Sequence, residues 1–577
     1  MARPPVSLHA LAAARGDVPA DILLKGGRVL SPTTREWVTT DLAIADGVVV
    51  GWGERDAHEI INVDGASLVA GFVDAHMHLE SSKLWVDEYV KAVLPNGTTA
   101  VAADPHEIAN VCGVAGVEFM IENGKQTPFK FFFGAPSCVP ATIFETAGAE
   151  VNEKEVDVLL ARPEIYYLSE MMNFPGVLHN DPVVMAKIKA AQKHNKPVDG
   201  HAPGLRGEAA KKYIAAGIST DHECFTIDEA LEKLDYGMHI IIREGSAAKN
   251  FEALYPLIDS HTSHIMLCSD DKHPDSLAAG HINTVCARAV AKGLDVFNVL
   301  RAACINPVKH YKLPVGVLNP GDPADFILVK DLTNFEVTST YINGELVAQN
   351  GISNIKSVGT NPINNFDCKK IEANALTISE NEYPNKNGVI PVIEALDGQL
   401  ITNKLMLAGS LQNGNWVTDT TNDILKIVVV NRYHAAPIAK AFIKNFSLTQ
   451  GAIASSVAHD SHNIVAVGVD DASIAAAINL VIEAQGGVSV VSGANNSAVN
   501  NPNSLVLPLP VAGLMSSADG FEVADKYTTI DLAAKALGSK LQAPFMTLSF
   551  MALLVIPHLK LSDKGLFNGD DFNFDIF

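Results

Sequence analysis

Eight short apolar segments constrain the fold of this chain more than any other feature. They alternate with helix-like segments from residue 66 onward, which is typical of a parallel α/β fold. Nearly all of them end in residues that bind metals or exchange protons. In chain order they read "SLVAGFVDAHMH", "TTAVAADPHE", "FKFFFGAPS", "EIYYLSEMMN", "KPVDGHAPG", "GISTDHE", "MHIIIREGS" and "HIMLCSDD". Because a (β/α)8 barrel carries its active site at the C-terminal ends of its strands, this pattern predicts a TIM-like barrel over residues 69–315.

A doubly wound parallel sheet is the main alternative fold, since it also alternates strands with helices. Such sheets carry a glycine-rich phosphate-binding motif directly after a strand. Neither G-x-G-x-x-G nor G-x-x-x-x-G-K-[ST] follows the first predicted strand of this chain. The sequence therefore favours the barrel.

The segments on either side of the barrel share the same pattern of apolar and polar residues. Residues 21–65 alternate apolar and polar positions around Gly-Gly and Asp-Gly turns, and "GDPADFILVKD" and "TSTYINGELVAQNG" repeat this after the barrel. Such patterns indicate antiparallel hairpins. We expect residues 1–68 and 316–355 to form one small β-sandwich. After an Asn-, Pro- and Lys-rich linker near 355–390, residues 385–577 predict a further α/β domain.

Composition excludes several classes of protein. Hydrophobic residues make up 47% of the 577 residues, enough for a sizeable core, while the formal charge of −22 argues against nucleic acid as a partner. The seven cysteines include no C-x-x-C pair, which suits reduced thiols in the cytosol. The N-terminus lacks a continuous apolar signal segment, and Ser549 and Pro557 interrupt the longest C-terminal apolar run. We expect a cytoplasmic protein without a membrane partner.

Six residues at the predicted strand ends have metal-ligand chemistry. The first two are one residue apart in "DAHMH", so their rings lie on the same side of a strand. Six ligands, with one carboxylate able to bridge, suffice for two metal ions about 3.5–4 Å apart. A metal-bound hydroxide would then attack an electrophilic carbon, with Asp270 moving the proton. The expected ligands are His76, His78, Glu170, His201, His222 and Asp270.

The order H-x-H, carboxylate, His, His, Asp resembles that of the amidohydrolase superfamily. Within it, "GFVDAHMHLESS", "DPHEIANVCG", "EMMNFPGV", "DGHAPGL", "REGSAAKN", "SDDKHP" and "SSVAHDSHNIVAVG" look like the adenine deaminase family, over nearly the whole chain. Many relatives carry a carboxylated lysine after the fourth strand, whereas Glu170 stands there in this chain, as in adenine deaminases. The resemblance implies hydrolysis of adenine to hypoxanthine and ammonia in purine salvage or catabolism. It also implies two manganese or iron ions, with zinc as a further candidate.

Other activities stay open at this point. A different cyclic amidase or nucleobase deaminase of the same superfamily would carry a similar ligand set, because fold alone does not fix chemistry. A non-enzymatic role is less supported, since all six ligands are present. The zinc deaminases with a P-C-x-x-C signature are excluded, because no such motif occurs in the chain. We expect a homodimer.

A second group of residues is expected to contact the substrate. It comprises Asp104, His106, Glu107, Arg243 and Ser246. For the first three, helix capping or support of a metal ligand is an equally good interpretation. Arg243 has a structural alternative, an ion pair with its neighbour Glu244.

Three assignments in the catalytic set are not fixed by the sequence. Asp271 competes with Asp270 as the ligand after strand eight, and Asp270 is preferred because it comes first. Glu223 and Glu244 are the candidates for protonating the purine ring, because "HAPGL" contains no acid. His281 is interpreted as a helix start. The motif "HDSH", with His459, Asp460 and His462, predicts either a further metal site or a hydrogen-bonded loop, and we favour the loop.

Overall fold

Eight parallel strands form a closed barrel in the computed structural model, which describes residues 6–31, 34–359, 361–383, 385–493 and 504–574. Five of these strands form one sheet and three form another. Parallel bridges between Val198 and Ile218 and between Met77 and Asp270 join the two sheets into a ring. The predicted TIM-like domain is thus confirmed. Its strands are Phe72–Met77, Thr98–Ala103, Lys130–Ala135, Ile165–Met171, Val198–Gly200, Thr220–Asp221, His239–Arg243 and Ile265–Cys268.

Helices connect the barrel strands, and local sequence fixes where several of them begin. The helix Glu153–Ala161 starts at a capping box, in which Asn152 and Glu155 each accept a backbone N–H from the other. The helices are Val86–Val93, His106–Cys112, Val114–Gly124, Glu153–Ala161, Phe174–Leu178, Pro182–Lys193, Gly207–Ala215, Ile227–Asp235, Phe251–Leu254, Leu257–Ser260, Pro274–Ala279, Ile282–Ala291, Val296–Leu300 and Asn306–His310. Short 3-10 or π turns cover Leu79–Ser82, Leu94–Asn96 and Arg301–Ile305.

Strands from both sides of the barrel share one nine-stranded sheet. The seam is an antiparallel pair in which Leu68 faces Leu328, so the chain before the barrel bonds directly to the chain after it. The helix Leu8–Arg15 precedes this sheet. Its strands are Ala20–Leu30, Trp37–Ala45, Val48–Trp52, Ala57–Asn62, Ser67–Ala70, Phe326–Val329, Val337–Ile342, Glu345–Gln349 and Ile352–Ser353.

An eight-stranded sheet forms the centre of the C-terminal region. Its strand Leu425–Val430 is buried throughout. The helix Asp471–Glu483, capped by the Asp470 side chain, packs on the neighbouring strands Ala452–Ser455, Ile464–Gly468 and Gly487–Val491. The sheet strands are Val389–Ala395, Thr402–Ala408, Leu425–Val430, Ala439–Lys444, Ala452–Ser455, Ile464–Gly468, Gly487–Val491 and Ser504–Pro508. Other elements are Ala373–Leu376, Ile378–Ser379, Ser410–Gln412, Asn415–Val417, Gly520–Ala536, Pro544–Phe550, Leu559–Ser562, Gly565–Asn568 and Asn573–Phe574.

The C-terminal region packs directly on the mouth of the barrel. Trp85 donates its backbone N–H to the Ser516 carbonyl at 3.0 Å, and Ser516 donates to the Lys83 carbonyl at 2.8 Å. A single buried apolar cluster contains both Leu79 of the barrel and Phe550 of the C-terminal region. These contacts bring C-terminal residues to the end of the barrel where its active site is expected. Within the described ranges, no helix is both long and apolar enough to cross a bilayer.

Candidate active site

The six expected ligands converge at the C-terminal ends of the strands, and Glu170 lies at their centre. One of its oxygens, Oε2, lies 2.9 Å from His201 Nδ1 and 3.1 Å from His222 Nε2. The other, Oε1, lies 3.4 Å from His78 Nε2. The Nε2 atoms of His76 and His78 are 3.2 Å apart. The carboxylate of Glu170 therefore separates two groups of imidazoles, which is the geometry that a bridging ligand needs.

Asp270, rather than Asp271, faces these histidines. Its Oδ1 lies 3.5 Å from His78 Nε2, and its Oδ2 lies 3.6 Å from His222 Nε2. Its backbone has a φ of 52°, a conformation that Asp tolerates better than most residues. Asp271 instead accepts a hydrogen bond from Ser81 Oγ at 2.5 Å.

The motif after the second strand contributes two kinds of contact. Asp104 Oδ1 accepts the His106 backbone N–H at 3.1 Å, where the helix His106–Cys112 begins, so a capping contact exists. The ring of His106 also lines the site, because its Nδ1 lies 3.5 Å from Glu170 Oε1. Glu107 points to the C-terminal region, where its two oxygens meet His459 and His462. Asp104 therefore bonds to the start of the helix, and His106 lies beside the expected metal ligand Glu170. The helix-capping and the ligand-supporting interpretations thus each rest on one observed contact.

Arg243 and Glu244 do not pair with each other. The buried guanidinium of Arg243 contacts Glu223 and lies 2.9 Å from Asp270 Oδ2. Glu244 pairs with Arg288 instead. The physical reason is that successive side chains of a strand point to opposite sides, so neighbours at a strand end face different surroundings. The ion-pair alternative drawn from the sequence does not form.

Ser246, expected to contact substrate, lies outside the cavity lining. Its Oγ accepts the His273 backbone N–H at 2.8 Å and donates to Ser276 Oγ at 3.1 Å. It therefore supports the turn that leads into the helix Pro274–Ala279. Glu244 is likewise absent from the cavity lining, whereas Glu223 belongs to it.

Burial and charge act against each other throughout the site. Burial, together with the nearby His222 and His78, holds the pKa of His76 well below its usual range. Burial also lowers the pKa of His78, but Glu170 and the aspartates after strand eight raise it to about 9. Burial raises the pKa of Asp270 to about 6, although Arg243 opposes this shift. So many ionisable groups packed out of water are costly unless a further charge compensates them.

The donor set fits metal ions. Four ring nitrogens lie within 3.4 Å of one another or of the Glu170 carboxylate, namely His76 Nε2, His78 Nε2, His201 Nδ1 and His222 Nε2. Buried polar and charged groups packed so closely are costly unless they are paired or coordinate a metal ion. Several overlapping sets of three or four ligand atoms lie within 4.8 Å of one another, including His76, His78 and Asp270. Imidazole and carboxylate together suit transition metals.

Three further residues, Asp74, Thr98 and His281, support the turn that precedes Asp270. Sequence reasoning did not assign them to the site. Asp74 accepts the backbone N–H of Ser269 at 3.0 Å and so fixes the turn just before Asp270. His281 contacts Asp74 through Nε2 at 3.0 Å and Thr98 through Nδ1 at 2.6 Å. His281 does precede the helix Ile282–Ala291, as expected, but it also holds Asp74. Asp74 lies two residues before His76 in the same strand, so the sequence could have indicated that both side chains lie on the same side of that strand.

A small cavity opens above the ligands. Its lining on the barrel side includes five of the six expected ligands, all except His76, together with His106, Glu107, Glu223, Arg243 and Asp271. Five further lining residues come from the C-terminal region, namely Leu400, His459, Asp460, Phe550 and Leu553. A larger depression lies at the opposite, N-terminal ends of strands three and four and contains none of the expected ligands. The small cavity is therefore the candidate active site.

Comparisons with known proteins agree with this organisation. The model of the amidohydrolase family matches residues 67–347, and that of the adenine deaminase C-terminal domain matches residues 399–573. The chain is 47% identical to an adenine deaminase of Methanosarcina mazei, over 96% of this chain and 99% of that protein. It is 51% identical to an adenine deaminase of Salinibacter ruber, over 95% and 97%. A zinc-bound adenosine deaminase structure from Xanthomonas campestris is 16% identical, with a TM-score of 0.45 over 59% of this chain and 95% of that chain.

Proposed function

The chain belongs to the adenine deaminase family, and on that premise we propose that it hydrolyses adenine to hypoxanthine and ammonia. The observation that carries the proposal is the convergence of four imidazoles and the carboxylates of Glu170 and Asp270 beneath a small cavity.

Two divalent ions would be held by His76, His78, Glu170, His201, His222 and Asp270, with manganese or iron expected and zinc as a further candidate. Glu170 would contact both ions, since its two oxygens face different histidines. Bound there, the ions would act as Lewis acids that lower the pKa of water and activate it for attack.

The chain's own residues would handle the protons. Attack of the water oxygen on C6 of adenine forms a C–O bond, and departure of the amine breaks the C6–N bond. Asp270 would accept a proton from the water and return it to the departing amine, which leaves as ammonia. Arg243 supports this role, because its Nε lies 2.9 Å from Asp270 Oδ2 and fixes the carboxylate.

The ring must gain a proton as it is attacked. Glu223 remains a candidate for transferring it, because it lines the cavity. Burial raises the pKa of Glu223, but Arg243, His201 and His222 outweigh burial and lower it, so Glu223 would first take the second proton of the water and then pass it to the ring nitrogen. Glu244 has less support, since its carboxylate binds Arg288 away from the cavity. His106 supports the expectation of a polar wall beside the substrate, because it lines the cavity and lies next to Glu170. Asp104 is absent from the cavity lining and contacts His106 instead.

We extend the proposal to the organisation of the molecule. The barrel at 69–315 is the catalytic domain, residues 1–68 and 316–355 form a small β-sandwich, and residues 385–577 form the C-terminal α/β domain. The sheet shared by both flanks supports the second of these assignments. We further propose a cytoplasmic homodimer that acts in purine salvage or catabolism, with no nucleic-acid or membrane partner.

The test is a substrate screen with purified, metal-loaded protein. Adenine, adenosine, cytosine and a hydantoin are offered, and both ammonia release and ring opening are followed. Adenine is expected to be converted to hypoxanthine far faster than the others react. Preferred opening of the hydantoin ring, or preferred deamination of cytosine, would assign the chain to another activity of the superfamily.

A further inference from the structure

Residues 456–463 of the C-terminal region form a connection that enters the mouth of the barrel. It joins the antiparallel strands Ala452–Ser455 and Ile464–Gly468, and every residue in it is buried. Connections between strands usually run over the surface, because their backbone polar groups need water. This one is held by hydrogen bonds instead, including Tyr433 Oη to the Ser461 carbonyl at 2.6 Å and Asn463 Nδ2 to the Thr146 carbonyl at 2.9 Å.

Two histidines of this connection form hydrogen bonds to one carboxylate of the barrel. His459 Nδ1 bonds to Oε1 of Glu107, and His462 Nε2 bonds to its Oε2. Since each oxygen of Glu107 is engaged by a histidine, this carboxylate holds the connection in place. Glu107 would affect a bound substrate only by positioning His459. The alternative of a separate metal site in "HDSH" is not needed to explain this arrangement.

The second nitrogen of His459 faces the cavity without a partner. The side chain is only 3% exposed and lines the cavity above the ligands. Its Nε2 has no hydrogen-bond partner among the described residues. The Asp271 carboxylate is 4.0 Å away, which is too far for a hydrogen bond. A buried nitrogen that is oriented by a carboxylate on one side and unpaired on the other is arranged to meet a ligand.

We propose that His459 contacts the substrate directly, with Nε2 donating a hydrogen bond to a ring nitrogen of adenine bound in the cavity. This inference rests on the proposed function and adds to it a catalytic-site residue from outside the barrel. The purine would lie between this donor and the ligands around Glu170. Phe550, whose ring centroid is 5.3 Å from that of His459, would supply an apolar wall beside it.

The charge around His459 supports a donor rather than an acceptor. Burial lowers the pKa of this histidine, but Glu107 and Asp271 outweigh burial and raise it to about 9. At neutral pH both ring nitrogens then carry a proton. Nδ1 gives its hydrogen to Glu107, and Nε2 keeps one for the ligand. A ring nitrogen of a purine is a suitable acceptor.

A pair of substitutions separates substrate contact from structural support. In His459→Asn the side-chain amide replaces Nδ1 and keeps the bond to Glu107, but the group that reaches the cavity is lost. In His459→Gln the amide reaches the place of Nε2. If His459 contacts the substrate, Asn should lower kcat/KM for adenine by about 100-fold, while Gln should stay within about tenfold of the native protein. The opposite order would indicate that only the bond to Glu107 matters and would overturn the proposal.

Purine analogues give a readout that a structural role would not change. 1-Deazaadenine, 3-deazaadenine and 7-deazaadenine each lack one ring nitrogen, and their inhibition constants are compared with the KM for adenine. The native protein is expected to bind one of them at least about tenfold more weakly than the others. His459→Asn should lose that discrimination, whereas the control His462→Gln, which keeps a donor to Glu107, should retain it.

The outcomes distinguish this inference from the proposed function. A native protein that does not deaminate adenine would remove the proposed function itself. A native protein that does so, together with a His459→Asn variant of equal metal content that discriminates among the analogues as before, would overturn only the role of His459. If His459→Asn does not fold, His459→Leu, which fills a similar volume without a donor, takes its place in the comparison: loss of the discrimination among the three analogues supports the contact, and retained discrimination contradicts it.

Discussion

The Oε2 atom of Glu170, at the end of the fourth barrel strand, lies 2.9 Å from Nδ1 of His201, at the end of the fifth. The opposite oxygen of the same carboxylate faces His78. We predict that Glu170→Gln lowers the metal content from two ions to about one per chain, because an uncharged amide bridges two cations poorly. Elemental analysis of the purified variant measures this directly. Two ions retained with normal turnover would contradict the bridging role.

Loss of either histidine of the first strand should be equally damaging. We expect His76→Ala and His78→Ala each to reduce activity below about 1% and to lower metal content, because each removes a ligand nitrogen that no neighbour can replace. His194→Ala is a matched control, since that histidine pairs with Asp157 outside the site at 2.8 Å. Full metal occupancy in either site variant would argue against the ligand assignment.

The two aspartates after the eighth strand should differ in effect. Asp270→Asn is expected to lower kcat by about 100- to 10,000-fold with a smaller change in KM, because the lost step is proton transfer. Asp271→Asn should be milder, since Asp271 bonds to Ser81 rather than facing the histidines. Steady-state kinetics on both variants decide the matter. An active Asp270→Asn beside an inactive Asp271→Asn would reverse the assignment.

The free base should be preferred to the nucleoside. Leu400, Phe550 and Leu553 line the small cavity on the side of the C-terminal region, which leaves little room for a ribose. We predict a kcat/KM for adenosine at least about 100-fold below that for adenine. Parallel assays of ammonia release with the two substrates check this. Comparable rates would mean that the C-terminal wall opens.

Much of the barrel was predictable because each strand is a buried apolar run that ends in polar residues. His76 and His78 show why: two polar rings at the end of such a run have no structural use there. The same strand periodicity could have predicted that Glu244 turns away from its neighbour Arg243 and meets Arg288 instead.

The C-terminal wall of the cavity was not predictable in the same way. Phe550 and Leu553 look like ordinary core residues, because a local sequence pattern does not say which surface a buried side chain meets. The partnership of Glu107 with His459 and His462 joins positions more than 350 residues apart. Such contacts depend on how the C-terminal region packs on the barrel, which no local pattern specifies.

Metal titration of the apoprotein tests the central claim most directly. The chain is stripped with a chelator, reconstituted with increasing Mn²⁺, and assayed for hypoxanthine formed from adenine. If six ligands around Glu170 hold two ions that are both needed, activity should rise to a plateau at about two equivalents per chain. A plateau at one equivalent, or full activity in the stripped protein, would contradict the account.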